Sequence, residues 1–164
     1  MILGMPTATF TLVHVVLSLV GIVAGVVVLF GMFGSKKSSG WTALFLATTV
    51  LTSVTGFFFP REHLLPSHVV GILSVLVLAA AILALYAYHL AGSWRWIYVA
   101  GAVVALYFNV FVAVAQAFLK WPPLAALAPT QSEPPFIITQ VVVMVIFLGL
   151  GIVALRSFHP RTSY

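Results

Sequence analysis

Cysteine is absent from the 164 residues, and that absence removes disulfides, thiolate catalysis, Cys-ligated zinc and iron–sulfur clusters together. Charge is almost as scarce. Only 5% of the chain is Asp, Glu, Lys or Arg, against about 25% in an ordinary soluble domain. Glu62 and Glu133 are the two acids, and no aspartate stands beside them as support for hydrolytic chemistry. No H-E-x-x-H, G-x-S-x-G or P-loop pattern occurs. Met1 to Phe10 contains no Lys or Arg, so the first apolar run reads as a retained helix rather than a secretory signal. The final Thr162-Ser163-Tyr164 carries no lipidation motif.

What fills the chain is apolar. Hydrophobic residues make up 63% of it. They gather in five uncharged runs, about Ala8 to Phe33, Trp41 to Phe59, Ser67 to Leu90, Trp96 to Leu119 and Phe136 to Leu155. Each is long enough for a helix to cross a hydrocarbon core of about 30 Å. The expected architecture is all-α: one transmembrane domain over residues 1–164, an up-and-down bundle of five spans in a cell membrane (the inner membrane, in a bacterium). The lipid bilayer is its first partner.

Orientation follows from the connectors. Lys36, Lys37, Arg95, Arg156 and Arg161 fall on one side, and Arg61 and Lys120 on the other. Cytoplasmic loops are the ones enriched in Lys and Arg, which places the N-terminus outside and the C-terminus in the cytoplasm. Trp41, Trp94, Trp96 and Trp121 fall at span ends, where indoles settle at headgroup depth. Of the nine prolines, only Pro160 lies on the inner side, and none interrupts a run, so continuous helices are expected. The net charge of +5 is scattered at helix ends with no basic stripe, which argues against nucleic acid. Lys120 to Pro135 is the one long connector, expected in the interface or over the outer mouth.

Helical spacing gathers the few embedded polar groups. His14, Ser18, Gly21 and Gly25 share a face of the first span, with Gly21 and Gly25 as a small-xxx-small pair. Thr48, Thr52 and Thr55 form a hydroxyl row on the second span, and Asn109, Ala113, Gln116 and Lys120 share a face of the fourth. At 1.5 Å per residue, His14 lies roughly 9 Å below the start of its run, Gln116 roughly 6 Å below Lys120 and Gln140 about 9 Å below Pro134. With His68 opening the third span, every span brings a polar group to the outer leaflet, under Arg61, Glu62, His63 and Glu133. A candidate ligand site follows: His14, His68, Gln116, Gln140, Thr52, Thr55 and Glu133.

Each of these residues has a plainer reading. His14 suits an interhelical hydrogen bond to Thr52, Thr55 or Gln116 as well as a metal, haem or quinone contact. His68, in a first helical turn after Pro66, suits neutral imidazole, either as a ligand or simply as an interfacial side chain. Gln116, Gln140 and Asn109 suit helix packing, and Glu133 suits the start of the last helix. A metal set would draw on His14, His68 and His63, with Met1 and Met5 as thioether help for copper(I). His89 and His159 lie on the opposite side.

Four functions remain open on this reading. The foremost is a ligand- or metal-binding membrane protein, with a divalent or copper ion as candidate occupant. Next is a b-type haem or quinone-linked redox protein with His14 and His68 as axial ligands. The chain also fits an accessory subunit of a larger membrane complex, or a homo-oligomer. A transporter ranks last, for want of broken helices or an inverted repeat.

Overall fold

A computed structural model describes residues 1–59 and 66–160, so Arg61, Glu62, His63 and Arg161 lie outside the described residues. The described chain is helical, with no strand beyond an isolated bridge between Ile2 and Met5. Its helices are α1 (Thr7–Phe33), α2 (Ser39–Gly56), α3 (Pro66–Ile82), α4 (Trp94–Lys120), α5 (Pro122–Leu127) and α6 (Pro134–Ser157). Proline supplies several starts: α3 begins at Pro66, α5 at Pro122 and α6 at Pro134, where a missing N–H costs nothing.

Among the described residues, four helices are long and apolar enough to cross a membrane: α1, His68–Ala87, α4 and α6. Their mean hydropathies are 2.8, 2.8, 2.2 and 2.7. The 18-residue α2 is the exception because hydroxyls interrupt it, with Ser39, Thr42, Thr48, Thr49, Thr52, Ser53 and Thr55 along its length.

The third run does not stay α-helical throughout. Leu83–Ala87 forms a π-helical turn, with the Tyr88 amide donating to the Leu83 carbonyl at 3.0 Å. The expectation of helix to Leu90 is corrected here: the chain leaves through left-handed residues His89, Leu90 and Gly92. Leu90 N–H closes the turn on the Ala84 carbonyl at 2.9 Å. This is a helix end of the kind glycine usually serves, and no proline announces it.

Antiparallel contacts order the bundle. Gly25 of α1 meets Phe45 of α2, Ser53 of α2 meets Ser74 of α3, and Gly101 of α4 meets Ala81 of α3. Leu106 of α4 closes on Gly25 of α1, so α1 to α4 form a ring. The last helix lies outside it, against α4 and α1, and is the least buried of the four. Phe118–Phe136, Tyr107–Phe147 and Val103–Gly151 mark its antiparallel register on α4.

One end of the bundle carries Lys36, Lys37, Arg95 and Arg156 and is called the basic end; the other carries Pro6, Pro66 and Pro134 and is called the proline end. Burial concentrates toward the basic end. Val28, Leu29, Met32, Phe45, Leu46, Ala81, Leu85, Tyr98, Val99 and Ala102 form one packed cluster with Phe158. Ala24, Gly25, Ala81, Gly101 and Ala105 allow the backbones to approach closely, the packing on which helix association in lipid depends. The same end is tied by hydrogen bonds: Arg95 donates to the Phe158 carbonyl, Ser35 Oγ donates to the Ser157 carbonyl, and the His159 amide donates to Ser35 Oγ at 3.0 Å.

Candidate functional site

The floor of the site is a crossing of three helices. Gly21 has no side chain, and a Cβ there would stand 3.2 Å from the hydroxyls of Thr48 and Thr49 and 3.3 Å from Asn109 Nδ2. Asn109 itself donates to Thr49 Oγ1 at 3.1 Å and is 9% exposed. Thr48 spends its proton on its own helix, donating to the Leu44 carbonyl at 2.7 Å. A polar layer therefore seals α1, α2 and α4 above the apolar cluster.

Toward the proline end the α1–α2 seam stays polar. His14 Nδ1 lies 2.8 Å from Thr55 Oγ1, and the His14 ring stands edge-on to Phe59, 5.2 Å between centroids. Thr55 Oγ1 also donates to the Leu51 carbonyl at 2.7 Å. A hydroxyl has one proton; with it committed to Leu51, Thr55 accepts from His14 Nδ1–H and Nε2 becomes the ring's acceptor. Between the two layers Ser18 donates to the His14 carbonyl at 2.9 Å, while the buried hydroxyl of Thr52 has no hydrogen-bond partner among the described residues.

On α4 the polar face changes character along its length. Asn109 is buried, but Gln116, two turns closer to the proline end on the same face, is exposed, and so is Lys120. His14 and Gln116 each stand seven residues, about 10.5 Å, beyond the Gly21–Asn109 crossing. The Lys120 ammonium is within electrostatic range of the His14 ring. The helices thus close at the crossing and leave His14, Ser18 and Thr55 only part-buried beyond it.

The other candidates sit in separate arrangements. His68 is 6% exposed and packs against the Phe57 ring, 6.2 Å between centroids. Gln140 is 8% exposed and joins α6 to α4 by donating from Nε2 to the Phe111 carbonyl at 3.1 Å; its buried Oε1 has no partner among the described residues. Glu133 turns back into the connector, accepting from the Thr130 hydroxyl at 2.9 Å and from the Thr130 and Ser132 amides at 3.1 Å. Its carboxylate makes no capping bond to α6. Desolvation, the largest single influence, pushes the Glu133 carboxyl up, but these hydrogen bonds together outweigh it and hold the group below the usual carboxylate range. Among the described residues, no three His, Asp or Glu side chains gather as a metal set; His63 lies outside them.

Three polar links escape the sequence reading. Thr49 and Ser53 form a second hydroxyl row on α2, facing Asn109 of α4 and Ser74 of α3. Their i, i+4 spacing on a helix already carrying one hydroxyl row was the available signal. Gln131, at φ 57°, sends Nε2 to the Ala115 carbonyl at 2.6 Å and fastens the connector to α4. No periodicity points to it, because it belongs to a loop.

Comparisons with family models, curated proteins and solved structures find no match to this chain.

Proposed function

We propose that the chain is a multi-pass protein of the cell membrane whose outer end binds a small amphipathic molecule between α1, α2 and α4. In this frame the chain crosses five times, with α2 added to the four apolar helices. Helix α1 ends at the basic end and α3 starts at the proline end, so α2 carries the chain back over about 27 Å. The Lys/Arg bias favours the basic end as cytoplasmic, with the N-terminus outside.

The observation that carries the binding reading is the buried Thr52 hydroxyl, unpartnered among the described residues, about one helical turn from the Thr55 that holds the His14 ring. An unsatisfied polar group in hydrocarbon is costly, and an embedded ionisable side chain marks a site by default. Thr52 offers a donor and an acceptor, and His14 Nε2 an acceptor. Gln116 and Lys120 add donors at the mouth. Together they suit a ligand with a hydroxyl, carbonyl or amide head and an apolar body. His68, Gln140 and Glu133 are peripheral in this reading.

The test is mass spectrometry of organic extracts from protein purified out of native membranes, with wild type, His14→Ala and His159→Ala compared at equal folded yield. A co-purifying compound lost from His14→Ala alone supports the proposal. Equal content in all three contradicts it. A dithionite-sensitive Soret band in the same samples would instead assign His14 to haem iron.

A further inference from the structure

A second surface feature lies at the other end of the α1–α2 pair. Leu19, Val20 and Val23 of α1 and Trp41 and Leu44 of α2 line a groove of about 230 Å³ on the outside of the bundle. The lining is apolar, and Leu19, Val23, Trp41 and Leu44 are all exposed. In hydrocarbon such a groove is filled by lipid chains. What distinguishes it is its mouth.

Trp41 stands in the first turn of α2, and the loop just before that turn carries Lys36 and Lys37. Both lysines are exposed, and among the described residues neither side chain makes a hydrogen bond or ion pair. Arg95, in contrast, is spent on the Phe158 carbonyl and the Trp96 ring. Glu133, the one described acid, belongs to the opposite end. Ser38 precedes α2 without using its side chain as a cap, and a Cβ at Gly40 would meet open space. Two ammonium groups, unpaired among the described residues, therefore stand in the loop next to the Trp41 end of an apolar groove that runs toward Leu19.

From this arrangement we infer that the groove holds an anionic phospholipid, its phosphate between Lys36 and Lys37 and one acyl chain along Trp41, Leu44, Val23 and Leu19. Lysines at a membrane surface favour anionic headgroups, and basic sites beside helices are where such lipids are held. A zwitterionic lipid fits the apolar channel but gains little from the two charges. The site is independent of His14 and of any molecule bound at the proline end.

Native mass spectrometry of the detergent-solubilised full chain, titrated with phosphatidylglycerol or phosphatidylcholine of equal chain length, tests this. Wild type is expected to prefer phosphatidylglycerol by about thirtyfold, the factor two membrane-surface lysines supply. The Lys36→Gln/Lys37→Gln variant, exposed in the loop and checked for unchanged helicity, is expected to lose that preference. Arg156→Gln, which removes one charge at the same end of the bundle, and His14→Ala are expected to keep it. Equal binding of the two lipids by wild type, or a preference that survives the double substitution, overturns the inference.

Discussion

His14 Nδ1 of α1 stands 2.8 Å from Thr55 Oγ1 of α2, a hydrogen bond between side chains 41 positions apart. It fixes the ring and leaves Nε2 as the nitrogen that accepts. Interhelical bonds of this kind average about 0.6 kcal/mol and reach about 1.7 kcal/mol. Thr55→Val is therefore expected to lower stability by about 1 kcal/mol in reversible detergent unfolding, while leaving the bundle folded. It should also weaken retention of any molecule that depends on His14. Unchanged stability and unchanged retention would show that the bond contributes nothing.

Gly25 and Gly149 should respond oppositely to alanine. A Cβ at Gly25 would stand 2.6 Å from Leu106 Cδ1 and 2.8 Å from Phe45 Cε2, both within the packed cluster. Overpacking of that kind costs about 1–3 kcal/mol. At Gly149 nothing lies within 4 Å, so alanine there is expected to be neutral or to gain about 0.5–1 kcal/mol from helix propensity. Thermal unfolding of the two variants reads the difference directly, and a neutral Gly25→Ala would contradict the close α1–α4 approach.

Asn109 and Gln116 share a face of α4 but not a role. Asn109→Ala removes the donor to buried Thr49 and is expected to cost about 1–2 kcal/mol. Gln116 is exposed, so Gln116→Ala is expected to leave stability unchanged within about 0.5 kcal/mol. Equal losses in unfolding assays would mean that the helices do not separate beyond the crossing.

The Glu133 connector carries a pH signature. Its carboxyl is held below the usual range when the loop is ordered, so the ordering is fully present above the unfolded value of about 4.3 and fades as pH falls through the lower folded value. Amide exchange at Thr130 and Ser132 should be flat from neutral pH to about pH 5 and accelerate below pH 4 beyond the intrinsic trend. Glu133→Gln should abolish the extra acceleration. Persistence of that acceleration in the variant would assign the effect to another group.

The sequence exposes most of the fold because lipid constrains composition so strongly. The starts of the spans at Thr7, Pro66 and Pro134 fall within two residues of the apolar runs, since prolines and charges mark them. The π turn at Leu83–Ala87 is not legible, because no breaker residue stands there. Helix spacing also puts Asn109 and Gln116 together, yet cannot show that the first is buried and the second exposed. That depends on where Leu106 and Phe45 close over Gly25, a packing relation between three helices. His14 with Thr55 was readable as a pairing of polar stripes. The inward row of Thr49 and Ser53 required knowing that α2 faces α3 and α4 as well as α1.

Because the native chain has no cysteine, single substitutions can be labelled in intact cells with a membrane-impermeant maleimide. The most direct measurement takes Lys37→Cys, Gln116→Cys, Ser132→Cys and Ser157→Cys in turn. The account predicts labelling from outside at positions 116 and 132, and protection at 37 and 157 until the membrane is opened. Labelling at 37 or 157 in sealed cells would contradict the topology, and protection at 116 with labelling at 132 would contradict a polar cleft open to the outer surface.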